Sequence, residues 1–276
     1  MEPLFWPNTS VPVRNLRRQL KHGQLFWREV GRGQTVVFLH GSWHDGDQWS
    51  DVLALLGQKY HCLALDLIGF GESWQEDKST QSVTLQVNAL SELLESLRLD
   101  SVVLVGHSLG AWVAARYALQ YPQQVKGLCL LEPEGFLYEP KRWQRERWLA
   151  SPLAGLWLAI TKPFARKPVP GASSSWLQSQ RLRTQLKRYP TACRLLFQRR
   201  RKDLEAEAIG SQLSTADIPM VVLQGKEADV TSQRLGQTAV TASPKMTLKV
   251  LPGSDELPSY EAAAVADFLE QWLTAN

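Results

Sequence analysis

The chain has 276 residues, of which 44% are apolar and 21% charged. It is too apolar and too weakly charged for a disordered polymer and long enough to bury a large core. The net charge of +4 is too small by itself to argue for a nucleic-acid partner. Three scattered cysteines, Cys62, Cys129 and Cys193, form no C-x-x-C pair. They exclude a disulfide framework and a cysteine-based zinc site and suit a reducing compartment. No apolar run reaches the roughly 20 residues of a spanning helix. The opening stretch MEPLFWPNTSVPVRN lacks a basic segment followed by an apolar one, so the expectation is a cytoplasmic protein without a secretory signal.

In chain order, four short apolar runs read as strands: Thr35 to His40, Cys62 to Asp66, Ser101 to Gly106 and Val125 to Leu131. None alternates with polar residues, which is the pattern of parallel strands covered on both faces. Between them, Val83, Val87, Leu90, Leu94 and Leu97 recur at spacings of 4, 3, 4 and 3, one apolar stripe of a helix. Leu109 to Tyr121 is Ala-rich and stops before Pro122. Strand-helix alternation of this kind implies right-handed crossovers and a mostly parallel, doubly wound α/β sheet.

The alternation breaks between about Glu134 and Gly210. It resumes with a strand at Ile218 to Gly225, a second at Met246 to Leu251, and a closing helix from about Pro258 to Thr274, with Val265, Phe268, Leu269 and Trp272 on one face. The expected organisation is a core of residues 1–133 and 211–276, with 134–210 as an insertion.

Gly106-His107-Ser108-Leu109-Gly110 is a G-x-S-x-G sequence between an expected strand and an expected helix, the context this motif requires. Its glycines permit a sharp turn, which puts Ser108 at the strand end beside a helix N-terminus. The partial positive charge there favours developing negative charge. His40-Gly41-Ser42-Trp43 ends the first apolar strand, and Asp66-Leu67-Ile68-Gly69-Phe70-Gly71-Glu72-Ser73 follows the second as a Gly-rich turn. With these three motifs the chain resembles an α/β-hydrolase of the lipase, esterase, haloperoxidase and dehalogenase-like branch, over roughly residues 24–132 and 215–274. The resemblance implies that Ser108 is the nucleophile position and that 134–210 is a helical cap over the active site. It also implies an oxyanion hole from the backbone N–H groups of Ser42 or Trp43 and of Leu109. No cofactor and no metal is expected.

The resemblance also implies a triad in the order Ser, acid, His, and here the chain departs from it. Its histidines are His22, His40, His44, His61 and His107, all before Ser108. The family's His lies in a loop after the last strand. That stretch reads Leu251-Pro252-Gly253-Ser254-Asp255-Glu256-Leu257-Pro258, with Glu256 at the His position. Ala228 stands where the family's acid usually falls, with Asp229 one residue later and Glu132, after the fourth strand, as an alternative acid. Glu256 is a weak base for a serine hydroxyl, since an ordinary Glu titrates near pH 4.3. His44 reads as a solvated loop histidine rather than a base, and Lys226 as a base has to be buried and neutral. His40 and His107 occupy positions where the family often keeps a structural His. The expected outcome is a catalytically degenerate member. The alternative is an active serine hydrolase of a lipophilic ester or amide with an unorthodox base.

The insertion is strongly basic. Residues 133–210 hold sixteen Lys or Arg against six Asp or Glu, a net +10, which leaves −6 on the rest. It also carries Trp143, Trp148, Trp157 and Trp176 and an apolar run from Leu153 to Ile160, followed by Lys162, Phe164, Arg166 and Lys167. Eight apolar residues cannot span a bilayer, but with Trp and flanking cations they suit the interface of an anionic membrane. The competing reading is an ordinary cap helix with a solvated basic face. The expected partners are a small apolar ligand or ester beneath the cap, and an anionic membrane surface or an acidic protein against it. The run Arg199-Arg200-Arg201-Lys202 comes without a nucleic-acid motif.

Overall fold

The computed structural model describes residues 11–77, 81–136, 143–161 and 175–276. Residues 1–10 and the basic or aromatic positions Lys141, Arg142, Lys162, Phe164, Arg166 and Lys167 lie outside the described residues.

A sheet of nine strands organises the core. It comprises β1 (Arg14–Leu20), β2 (Gly23–Val30), β3 (Thr35–Leu39), β4 (His61–Asp66), β5 (Trp74–Gln75), β6 (Val102–His107), β7 (Val125–Leu131), β8 (Met220–Gly225) and β9 (Met246–Leu251). The order is β1-β2-β4-β3-β6-β7-β8-β9, with β5 paired to β2. From β4 to β9 every pairing is parallel, and only β1–β2, β2–β4 and β2–β5 are antiparallel. The mostly parallel α/β sheet agrees with the apolar runs.

Alternate residues of the central strands serve opposite faces, as strand geometry requires. On β3, Val37 and Leu39 join one apolar cluster while Val36 and Phe38 join the other. The first face is covered by α2 (Val83–Ser96) and α3 (Leu109–Gln120), the second by α1 (Ser50–Leu56) and α11 (Ala262–Ala275). Burial on both faces removes these side chains from water completely, and each stabilises the fold by about 1.5–3 kcal/mol.

Three differences from the sequence reading have physical causes. The β1–β2 hairpin was not expected: β1 is largely exposed and lacks an apolar rhythm. Strand β8 starts at Met220, because Pro219 has no N–H to donate, although its carbonyl accepts from Leu128 N at 3.0 Å. The closing helix is two helices, α10 (Leu257–Tyr260) and α11, broken at Glu261 with φ −123° and ψ 34°.

Between β7 and β8 the described residues form α4 (Gln144–Ala150), α5 (Pro152–Thr161), α6 (Ser175–Arg188), α7 (Pro190–Phe197) and α8 (Arg201–Glu207). Leu149, Ala154, Leu158, Leu186, Leu195 and Leu196 bury themselves in the same cluster as α2 and α3. The junction has one polar clasp. The buried Glu207 carboxylate accepts from the backbone N–H of Val83 (3.1 Å) and Thr84 (2.9 Å), capping α2, and pairs with Arg199. Burial pushes its carboxyl up, but the bonds from Thr84 and Arg199 outweigh that and hold it below the ordinary Glu range. Replacing Glu207 with Ala strands a mostly buried Arg199 and uncaps α2. The expected loss is about 3 kcal/mol in the unfolding free energy from urea titration. A loss within 0.5 kcal/mol of wild type contradicts the clasp.

Candidate active site

The strand-to-helix turn after β6 sets the site. Ser108 has φ 50° and ψ −110°, a left-handed conformation that costs a non-glycine residue roughly 1–3 kcal/mol. Three backbone hydrogen bonds hold it: Ser108 N to Leu131 O (2.8 Å), and Trp112 N and Glu134 N to Ser108 O (3.2 Å each). The flanking glycines are required by close approach. A Cβ on Gly106 lies 2.5 Å from the Gly110 carbonyl carbon, and one on Gly110 lies 2.2 Å from Leu39 O. The loop after β3 reaches the same place, since a Cβ on Gly41 lies 3.5 Å from the Ser108 Cβ.

Ser108 lines a cleft of about 270 Å³ together with Ser42, Trp43, His44, His107 and the loop after β9. Among the described residues no hydrogen bond ends on the N–H of Ser42, Trp43 or Leu109, as the oxyanion-hole expectation needs. The Ser108 hydroxyl likewise has no hydrogen-bond partner among the described residues.

The imidazoles are engaged elsewhere. His40 Nδ1 donates to Gly41 O (2.8 Å), and its Nε2 accepts from Leu67 N (3.0 Å). Full burial pushes it down to about 4, so it is a neutral structural group. His107, next to the serine, is also pushed down by burial. Its partners fix its tautomer. Gln48 Oε1 accepts from Gly41 N (3.0 Å), which turns Nε2 of Gln48 toward His107 Nδ1 (3.0 Å). His107 Nε2–H then donates to Asp255 O at 2.9 Å. Both ring nitrogens are thus occupied.

The structure corrects the reading of His44 as a solvated loop histidine. Its side chain is 25% exposed, and Nε2 lies 2.7 Å from Glu256 Oε2. The loop after β3 and the loop after β9 are 212 residues apart in sequence, and only the parallel sheet brings their ends together. Burial pushes the Glu256 carboxyl up, but the His44 contact and the neighbouring imidazoles outweigh it, leaving Glu256 below the ordinary range and ionised. Gln48 also donates to Glu256 at 3.4 Å. Gln48 and Asp255 are the organising residues that sequence reading missed. Neither belongs to a motif, and their roles arise only from tertiary contact.

The acid candidates take different positions. Glu132 is buried at the end of β7 with φ 46°. One carboxylate oxygen accepts from Gly225 N at 2.6 Å, and the other is buried without a partner. Burial, with Asp255, Asp229 and Glu256 nearby, pushes its carboxyl up to about 8. Asp229 caps α9 (Val230–Thr241) by accepting from Ser232 N at 2.8 Å. Ala228 is buried and Lys226 is exposed, so Lys226 does not meet the burial a lysine base needs. The cleft is more polar than the apolar ligand site expected from the cap's composition. Six carboxylate residues line it, and its described aromatic lining is Trp43 and Trp143 besides the two histidines.

The Glu132 carboxyl predicts a pH effect. Its folded-state value near 8 lies above the ordinary 4.5, so the folded chain binds more protons between these values, and stability falls as pH rises from about 4.5 through 8. Glu132→Gln keeps the acceptor for Gly225 N and cannot ionise. Urea midpoints measured from pH 5 to 9 are expected to fall less steeply in this variant than in wild type. Parallel profiles refute the assignment.

The sequence profile of the alpha/beta hydrolase family matches residues 36–268. The chain is 35% identical over 187 residues to the 1-acylglycerol-3-phosphate O-acyltransferase ABHD5 of Sus scrofa, covering 64% of this chain and 52% of that protein. It is 34% identical over 130 residues to the uncharacterized protein Rv2715 of Mycobacterium tuberculosis, covering 47% and 38%. The match thus spans about half or less of the curated relatives' length. Solved structures of similar fold include a serine hydrolase, CCSP0084, from Cycloclasticus zankles (TM-score 0.73, 18% identity, 95% of this chain and 98% of that one). A bacterial membrane phospholipase A is another (TM-score 0.71, 19% identity, 95% and 86%). At such identities the likeness concerns the fold. The profile covers most of the chain, and the elbow, the strand order and these structures agree with it: the chain belongs to the alpha/beta hydrolase family.

Proposed function

We propose that this protein is a family member whose serine-hydrolase chemistry has lapsed, and that it acts by binding: a ligand in the cleft beside Ser108, and an anionic membrane surface against the basic insertion. The observation that carries the first half is the hydroxyl of Ser108. It has no hydrogen-bond partner among the described residues, while His40 and His107 have both ring nitrogens engaged and His44 is turned to Glu256. Without a base to take its proton, a serine loses on the order of ten-thousand-fold in turnover, keeping only oxyanion-hole and binding effects.

One observation favours a second reading. His44 and Glu256 form an imidazole–carboxylate pair in the same cleft as Ser108, and a ring shift gives an active esterase with these two residues as base and orienter. A fluorophosphonate probe separates the readings. The expected result is labelling no faster for wild type than for Ser108→Ala. Rapid stoichiometric labelling, lost in both Ser108→Ala and His44→Ala, overturns the lapsed-enzyme reading and establishes the second.

Support for the membrane half comes from α5. Leu153, Leu156, Trp157 and Ile160 fall at i, i+3, i+4 and i+7 and are 73%, 62%, 47% and 61% exposed, while Ala154 and Leu158 are buried. This helix is therefore apolar on both faces, one packed inward and one open. Trp148, also exposed, packs on Trp157 at 5.2 Å. Arg145, Arg147, Arg181, Lys187 and Arg188 are exposed on α4 and α6, and each cation held near an anionic surface contributes about 1 kcal/mol. No described helix is long and apolar enough to cross a membrane, so the arrangement is peripheral. The chain is expected to co-sediment with vesicles containing phosphatidylglycerol, and to be released by high salt and by Trp157→Ser combined with Ile160→Ser. Equal sedimentation with pure phosphatidylcholine, or an unchanged double variant, contradicts this.

A further inference from the structure

Chemistry in the cleft divides sharply from that of the insertion. Glu132 and Glu134 follow β7, Glu146 lies on α4, Asp229 starts α9, and Asp255 and Glu256 follow β9. These four separate segments bring carboxylates to one cleft, and none of its described lining residues is Lys or Arg. Three oxygens of the lining residues are buried and without partners: Ser42 Oγ, on a residue 2% exposed, Glu132 Oε2, on a residue 5% exposed, and Glu146 Oε2 on α4. Unsatisfied buried polar oxygens are costly and rare, and all three belong to residues lining one cleft. Trp43 and Trp143 stand in the same lining, edge to face with ring centroids 6.2 Å apart and planes at 75°, and an indole face attracts cations.

We propose that this cleft binds the primary ammonium group of an alkylamine-bearing ligand, with Glu132 and Ser42 accepting its N–H bonds and Trp43 and Trp143 flanking it. The inference deepens the reading of the cleft as a ligand site and holds whether or not Ser108 reacts. A carboxylate or phosphate group meets six acidic side chains and no described cation. A neutral alcohol can accept from the Ser42 hydroxyl and donate to Glu132 but brings no charge to six acidic side chains, and a quaternary ammonium brings the charge but no donor. A primary ammonium has three donors and the complementary charge.

Binding carries a proton signature. Glu132 is faced by Asp255, Asp229 and Glu256 and by the Gly225 N–H, and it shares the cleft with His44, His107, Glu134 and Glu146. A cation arriving beside it favours the ionised carboxylate. The balance at neutral pH is one alkylammonium and one protonated Glu132 in, one complex and one proton out.

Calorimetry on the full chain at pH 7, in two buffers of different ionisation enthalpy, tests this with hexylammonium, hexyltrimethylammonium, 1-hexanol and hexanoate as probes. Hexylammonium is expected to bind at least about tenfold more tightly than each of the others and to release protons. Glu132→Gln is expected to weaken it about tenfold and to abolish the release, and Ser42→Ala to weaken it while keeping the release. Should Glu132→Gln not fold, a carbon-13 titration of the Glu132 carboxyl in wild type carries the test. Its midpoint is expected to drop when hexylammonium is added, and an unchanged midpoint overturns the proposal. Binding of hexanol or hexanoate as tight as that of hexylammonium sinks the ammonium assignment and leaves the cleft a ligand site. Failure of all four probes to bind removes both.

Discussion

The close packing of Gly106 against Gly110 governs what the rest of the chain can do. With no side chain on either residue, β6 runs into α3 through a turn of a single residue, and that residue must take φ 50°. The strain on Ser108 is held by hydrogen bonds from three directions, out of β7, α3 and the segment that leads into the insertion. Because those bonds come from different parts of the chain, the turn exists only in the completed sheet. Everything else that lines the cleft is delivered by loops at the same ends of the parallel strands, where the elbow leaves a concavity between them.

What those loops deliver is a cleft lined by six carboxylate residues and, among the described residues, by no Lys or Arg. The imidazoles precede the nucleophile in the chain, and two of the three nearest are held as neutral structural groups by burial and paired nitrogens. The third, His44 of the loop after β3, meets Glu256 of the loop after β9 across the cleft. The remaining acids share the cleft with no Lys or Arg among its described lining residues. Their mutual repulsion adds to desolvation at Glu132, whose carboxyl is consequently protonated at neutral pH. Of the insertion's described Trp and Leu side chains, Trp143 alone lines the cleft, and most of the others point into the core or outward from α4 and α5.

The insertion supplies the opposite sign. Its cations stand on α4, α6 and beyond, and its largely apolar attachment to the body includes a hydrogen bond from Thr191 to Gly69 O and those accepted by Glu207, which joins α8 to the start of α2. The acidic lining of the cleft and the net +10 of residues 133–210 are of opposite sign, which the small net charge conceals. The exposed row on α5 adds a greasy stripe to the basic side. These three chemistries sit on different elements and vary independently, as the separate measurements on each exploit.

Much of this was legible in the residues alone. The buried strands β3, β4, β6, β7 and β8 announce themselves as unbroken apolar runs because both faces of a parallel sheet are covered, and the elbow is legible because close backbone approach admits only glycine at two fixed positions. That no histidine follows Ser108 is a property of order in the chain, which no fold can alter. The β1–β2 hairpin was not legible, since its outer strand is solvated and carries no rhythm. Nor was the partnership of His44 with Glu256, the clamp of Gln48 on His107, or the orphaned oxygens of Ser42 and Glu132. Each depends on which loops meet at the strand ends and on how much water their meeting excludes, and sequence spacing encodes neither distance nor desolvation across the sheet. The sequence by itself determined the scaffold and placed every histidine before Ser108. The tertiary structure alone decided which charges face one another, and so what the cleft is suited to hold.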